Sequence, residues 1–230
     1  MKTICIHQPD FAPWLGFFDR LIEADVYVVF DDAQFLRRGW HHRDKILGQS
    51  GSQWLTVPVL KKGRYEQEIR EVEIDESTDW RRKHLSTLAN VYGKRPGFTA
   101  THSALTEIYE RRHARLIDLN MDIITWLLSE FHIDIEVCFA SELNLSSRST
   151  ERLVDICRAH NAQNYLTGVG AKDYLQTDPF ARHDITVEWQ DFHHPEWNQG
   201  QTPFLSRLSA LDALYQGASA IKMLNREEAG

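Results

Sequence analysis

His7, Asp31 and Asp32 are the side chains best suited to acid–base chemistry, because each follows an apolar run that would hold it at the end of a strand. An imidazole with an ordinary pKa of ~6.5 can give or take a proton near neutral pH. Asp31 and Asp32 can orient that imidazole, act as the base themselves, bind hydroxyl groups, or simply cap the next turn. Gln8, Asp10 and Gln34 accompany them as hydrogen-bonding groups. No G-x-S-x-G elbow and no cysteine beside a base marks a nucleophile, so acid–base transfer is favoured over covalent catalysis. The positioning elements read as a strand at Thr3–Ile6, a Pro-punctuated loop through Pro9 and Pro13, a helix over Phe17–Ile22, and a second strand at Val26–Phe30. Two apolar strands joined by a short helix form a parallel βαβ unit, and ligands of open parallel sheets bind beyond the strands' carboxyl ends.

A second group of residues suits an anion. The run Arg37-Arg38-Gly39-Trp40-His41-His42-Arg43-Asp44-Lys45 concentrates four cations and two imidazoles. It reads either as a solvated loop or as a pocket for phosphate, diphosphate or carboxylate. Gly168-Val169-Gly170 follows a strand at Asn164–Thr167, and Lys172 adds a cation, but Asp173 replaces the last glycine of a G-x-G-x-x-G fingerprint. Ser146–Thr150 could contact phosphate, although an ordinary helix cap explains it better.

With 230 residues and 42% hydrophobic content, the chain can bury a substantial core. The expectation is one compact domain over 1–230 with a helical insertion at about 79–131. A net charge of −7 argues against a nucleic-acid partner. No apolar run reaches the ~20 residues of a membrane span and no secretory leader is evident, so a cytoplasmic protein without membrane insertion is expected. Cys5, Cys138 and Cys157 read as reduced core residues. Neither His41-His42 nor His193-His194 has spacing for joint coordination, since neighbours on a strand point to opposite faces; no metal is expected.

Further elements follow from periodicity: strands at Trp54–Leu60, Ile69–Ile74 (strictly alternating, hence one wet face and an edge strand or hairpin partner), Ile135–Phe139 and Ile185–Gln190. Helices are predicted from Asp79 to Tyr92 with Gly93 as the stop, His102 to Tyr109, Leu116 to Phe131, Thr150 to His160, and Phe204 to Tyr215. The fold class is α/β, a mostly parallel sheet flanked by helices.

Ile6-His7-Gln8-Pro9-Asp10-Phe11, Pro13-Trp14-Leu15-Gly16-Phe17-Phe18-Asp19, Asp31-Asp32-Ala33-Gln34-Phe35, Arg38-Gly39-Trp40 and Arg43 together resemble the WbqC-like family. Trp54–Val59, Tyr165-Leu166-Thr167-Gly168 with Gly170, Trp189-Gln190 with His194-Pro195, and Leu208–Leu214 extend the resemblance over nearly the whole chain. Asp10 and His42 stand where asparagine is usual. The first strand, loop and helix are also similar to nucleotidylyltransferase-type folds such as pantothenate synthetases, but the H-x-G-H signature is missing because Phe17 follows Gly16.

The first resemblance implies bacterial O-antigen or other surface-polysaccharide biosynthesis. The expected activity is a transferase moving an acyl-type group from an acyl donor to a nucleotide-activated amino sugar. His7 would transfer the proton, with Asp31 or Asp32 orienting it. Arg38, Arg43, Lys45 and Lys172 would hold the diphosphate, and Trp14 and Trp40 would stack on a ring. Gln8, Asp10, Gln34, Gly168, Gly170, Gln190 and His194 would complete the substrate contacts. The alternatives are nucleotidyl transfer, or a non-catalytic partner of a polysaccharide enzyme using exposed Trp40 and Trp197. A homo-oligomer or association with pathway enzymes is the expected protein partnership.

Overall fold

The computed structural model describes residues 1–218. In chain order the elements are β1 (Thr3–His7), α1 (Leu15–Ile22), β2 (Val26–Val29), β3 (Arg43–Gly48), β4 (Gly51–Thr56), α2 (Trp80–Tyr92), α3 (Phe98–Glu110), α4 (Leu116–Glu130), β5 (Glu136–Phe139), α5 (Ser149–Ala159), β6 (Asn164–Thr167), α6 (Asp178–Ala181), β7 (Thr186–Trp189) and α7 (Ala210–Tyr215). The chain divides into two compact units. The first comprises Met1–Gln8, Asp19–Ala33 and Ile133–His193; the second comprises Pro9–Phe18, Gln34–His132 and the chain from His194.

The first unit is built on a five-stranded parallel sheet in the order β5-β2-β1-β6-β7. Every residue of β2 is buried, the pattern of a strand covered on both faces. On one face Ile4, Ile6, Val26 and Val28, two residues apart on their strands, pack with Val154, Ile156 and Cys157 of α5 and with Phe180. β1 is the centre of the sheet. Its connection leads to β2 on one side, whereas β6 lies on its other side and leads outward to β7. The first unit is therefore doubly wound, with its switch point between β1 and β6.

The second unit joins the β3–β4 antiparallel hairpin to helices α2, α3, α4 and α7. Leu116, Leu119, Ile123, Ile124, Leu127 and Leu128 bury one face of α4, as their spacing predicts. Tyr92 and Tyr215 stack at 4.6 Å between ring centroids.

Several elements differ from expectation. Ile69–Glu71 is one 3-10 turn, not an edge strand, because Ile69 and Val72 are buried three residues apart and Glu68 with Glu71 forms a capping box. Val59–Ile74 and Glu73–Arg115 survive only as isolated bridges. The strand expected at Trp54–Leu60 begins at Gly51, stops at Thr56 and pairs with a strand in the cationic run, so Arg43 to Lys45 are strand rather than loop. The last helix starts at Ala210, not Phe204, where Ser209 Oγ accepts from Leu211 N. Before α5, neither Ser146 nor Thr150 is the N-cap; Arg148 is, without a side-chain capping bond.

Candidate functional site

At the carboxyl edge of the first unit's sheet, β1 delivers His7 and Gln8, β2 leads to Asp31 and Asp32, β6 leads to Gly168, and β7 leads to Gln190. His7 Nδ1 lies 2.8 Å from the Gln8 carbonyl oxygen. A carbonyl only accepts, so Nδ1 carries the proton and a neutral His7 keeps its lone pair on Nε2. Asp31 is buried and its two oxygens accept from Ser141 N (3.0 Å) and Ser141 Oγ (2.6 Å). Asp32 pairs with buried Arg152, which also donates to the carbonyls of Leu145 and Ala140. Gln190 Nε2 donates to Asp19 Oδ2 at 2.6 Å. Gly170 and Lys172 are exposed, with Lys172 Nζ 5.6 Å from the Trp189 ring centroid.

In the second unit the cationic run organises around an aromatic pair that includes Trp54, a residue whose local sequence indicates only a strand. Trp40 and Trp54 are 46% and 44% exposed, with ring centroids 5.2 Å apart. The Arg43 guanidinium lies 4.3 Å and Lys45 Nζ 5.2 Å from the Trp54 ring centroid. Arg43 Nη2 donates to the Arg38 carbonyl and its Nε to that of Gly39, which holds it in place, while Arg38 itself is exposed. Cations on accessible indole faces form a surface suited to a ring bearing negative charge. Gln34 Nε2 donates to the Tyr65 carbonyl. Trp14 stacks on His194 (6.3 Å, 16°), and a Cβ on Gly16 would strike the Trp14 indole. Trp197, expected to be exposed, is half-buried and donates to Asp212.

His41 and His42 do not add charge to the run. Both are buried in the turn before β3, and desolvation lowers their pKa values to about 4 and about 3, with Lys61 next in importance for His42. Lys61 Nζ lies 3.1 Å from His42 Nε2, so the ammonium donates to a neutral ring. His41 Nδ1 stands 3.6 Å from Asp10 Oδ1. Asn120 Nδ2 fixes this loop by donating to the carbonyls of Pro9 and His41. Buried Asp44 has its pKa raised, chiefly by desolvation, while its Oδ1 accepts from Lys45 N.

A stability prediction follows from this cluster and His84, whose buried ring is lowered to about 4 mainly by desolvation. The unfolded chain protonates these imidazoles below pH ~6.5 and the folded chain does not until about 4 or 3, so stability falls as pH drops through that window. Each proton taken up on unfolding contributes about 1.4 kcal/mol per pH unit. Asp44 acts oppositely, since a raised pKa gives the folded state the extra proton. Urea unfolding at a series of pH values from 7 to 4 should show a steep loss, flattened when His41 and His84 are replaced by glutamine; a flat wild-type profile would contradict it.

The second unit also contains a cavity of about 550 Å³ whose walls include Gln49, Ser52, Gln53, Asn90, Arg95 and Gln199. Arg95 Nη2 donates to the Gln199 carbonyl, and Gly200, at φ +71°, lets the backbone pass against the guanidinium. No expected site residue lines this cavity. Its walls come from three separate stretches, around the β3–β4 turn, α2 and Gln199–Gln201, and only their hydroxyl and amide chemistry could have hinted at it. Among the described residues no group of three His, Cys, Asp or Glu side chains is placed to hold a metal, and no helix is long and apolar enough to cross a membrane.

These features define an α/β protein with a doubly wound parallel sheet. The model of the WbqC-like protein family matches residues 8–222, and the chain belongs to that family. It is similar to the uncharacterized protein Rv1507c of Mycobacterium tuberculosis, with 34% identity over 223 residues and 96% of each chain covered. No solved structure matches the chain.

Proposed function

We propose that this protein is a transferase of bacterial surface-polysaccharide biosynthesis that moves an acyl-type group onto the nitrogen of a nucleotide-activated amino sugar. The observation that carries the reading is the position of His7 and Gln8 at the switch point of a doubly wound sheet, where such folds bind ligands. The family resemblance supports the polysaccharide setting. As the amine attacks the acyl carbonyl carbon, the C–N bond forms and the bond from carbon to the donor's leaving group breaks. His7 Nε2 takes the proton from nitrogen and returns it to the leaving group. Asp31 and Asp32, bonded to Ser141 and Arg152, have the orienting role at the end of β2. The second unit, taken by itself, presents Arg43 and Lys45 against the Trp54 indole, which suits a ring bearing negative charge, and an amide-lined cavity that suits a hydroxyl-rich molecule.

A thermal-shift screen against nucleotide sugars and acyl-coenzyme A compounds tests this reading. A ligand at ~100 times its Kd adds ~2.7 kcal/mol, a shift of several degrees. The shift should shrink in Arg43→Ala. His7→Ala should keep the shift with the binding nucleotide sugar and lose roughly 10²–10⁴-fold in turnover, read by mass spectrometry of the acylated sugar. Silence of the wild-type protein across the panel would instead support an accessory role, with the exposed Trp40 and Trp54 serving protein contacts.

A further inference from the structure

We propose that Arg20 and Gly168 form a binding subsite for a phosphate-type oxyanion at the switch point of the first unit's sheet. The inference rests on reading that strand edge as a ligand site and is independent of the transfer chemistry. Arg20 is only 6% exposed although it occupies the last turn of a short helix. Its Nε has no hydrogen-bond acceptor. Two of its titratable neighbours, Cys5 and Tyr165, supply no counter-charge. Burial raises the pKa of the Cys5 thiol and of the Tyr165 phenol against the opposing pull of Arg20, so both remain neutral at pH 7. The adjacent carboxylate, Asp19, accepts from Gln190.

A buried guanidinium nitrogen without an acceptor is costly, and the planar guanidinium fork matches the geometry of a phosphate. Gly168 provides the opening. A Cβ there would stand 3.1 Å from Arg20 Nη1, so any side chain at this position would crowd the guanidinium at the end of β6. β6 pairs with β1, which places this charge between the two strands whose connections run in opposite directions. The sequence contains no phosphate fingerprint at this point, because the cation and the glycine are supplied by elements far apart in the chain.

Isothermal titration of the full chain with inorganic pyrophosphate at low ionic strength tests the subsite. Wild type is expected to bind, Arg20→Gln to weaken binding at least 10-fold, and Gly168→Ala to weaken it several-fold. Lys62→Ala, which removes an exposed cation elsewhere, should leave it unchanged. No binding by wild type, or equal binding by Arg20→Gln, overturns the proposal. Should Arg20→Gln fail to fold by circular dichroism, unchanged affinity in Gly168→Ala overturns it. Malonate binding as tightly as pyrophosphate would replace the phosphate assignment with a carboxylate one. Because the titration requires no turnover, pyrophosphate binding through Arg20 in a protein inactive toward every amino sugar would reject the transferase reading alone.

Discussion

Asp212→Ala is expected to destabilise the protein by about 3–5 kcal/mol, a large share of a typical 5–15 kcal/mol total. The carboxylate is fully buried and accepts from Tyr92 Oη, Trp197 Nε1 and Gln199 Nε2, each at 2.9 Å. Alanine removes the acceptor of buried Tyr92 Oη and half-buried Trp197 Nε1 and one of the two acceptors of buried Gln199 Nε2; a buried donor left unsatisfied costs about 1–3 kcal/mol, while relief of the carboxylate's own desolvation offsets part of the loss. Asp212→Asn should be only a partial rescue, since the amide turns an N–H₂ toward groups that themselves donate. The damage should also reach the cavity, because Gln199 is both a member of this network and part of its wall. Urea denaturation followed by tryptophan fluorescence measures the effect. A change below about 1 kcal/mol would show that the network relaxes without Asp212.

Arg152→Ala should cost a comparable 3–5 kcal/mol, roughly the loss expected when a buried ion pair is stripped of one member and the other, Asp32, stays charged. Arg152 is buried and ties Asp32 to the Leu145 and Ala140 carbonyls, so a single side chain secures the region that follows β2 and the start of α5. Replacing Arg152 and Asp32 together with apolar residues of similar volume should recover much of the loss, since the double change removes the stranded charge. Asp32→Asn keeps an acceptor for Arg152 and should be milder. Comparing chemical-denaturation free energies of the four proteins isolates the pair. Equal losses in the single and double variants would contradict the pairing.

These results bear on what Asp31 and Asp32 contribute. Their place after a buried strand is legible in sequence, and the apolar run Val26–Val29 does form β2. Their partners, Ser141 and Arg152, lie 110 and 120 residues away, a separation that no local pattern encodes. The same limit hid Arg20. Its identity and helical position are local, but its burial and its approach to Gly168 depend on how residues 19–22 meet the end of β6 within the first unit.

In the cationic run, residue types predicted an anion-loving segment, but two of its basic side chains, His41 and His42, are kept neutral by burial. Desolvation is a property of the packed surroundings, not of the residues in the run. Likewise, Ile69–Ile74 carries an alternation that fits a strand, yet a strand needs a ladder partner over its length and the fold provides only isolated bridges.

By itself the sequence determined the elements whose information is local: the apolar runs of β1, β2 and β6, the helical period of α4, and the parallel sheet class that βαβ spacing implies. It also placed His7 and Gln8 at a strand end and carried the motifs of the WbqC-like family. Tertiary structure alone decided the strand order that makes β1–β6 the switch point, the neutral state of His41 and His42, the three donors on Asp212, and the unsatisfied Nε of buried Arg20. The division has one physical cause. Backbone propensity and hydrophobic period act over a few residues, whereas burial, ion pairing and hydrogen-bond satisfaction depend on groups that folding brings together from distant parts of the chain.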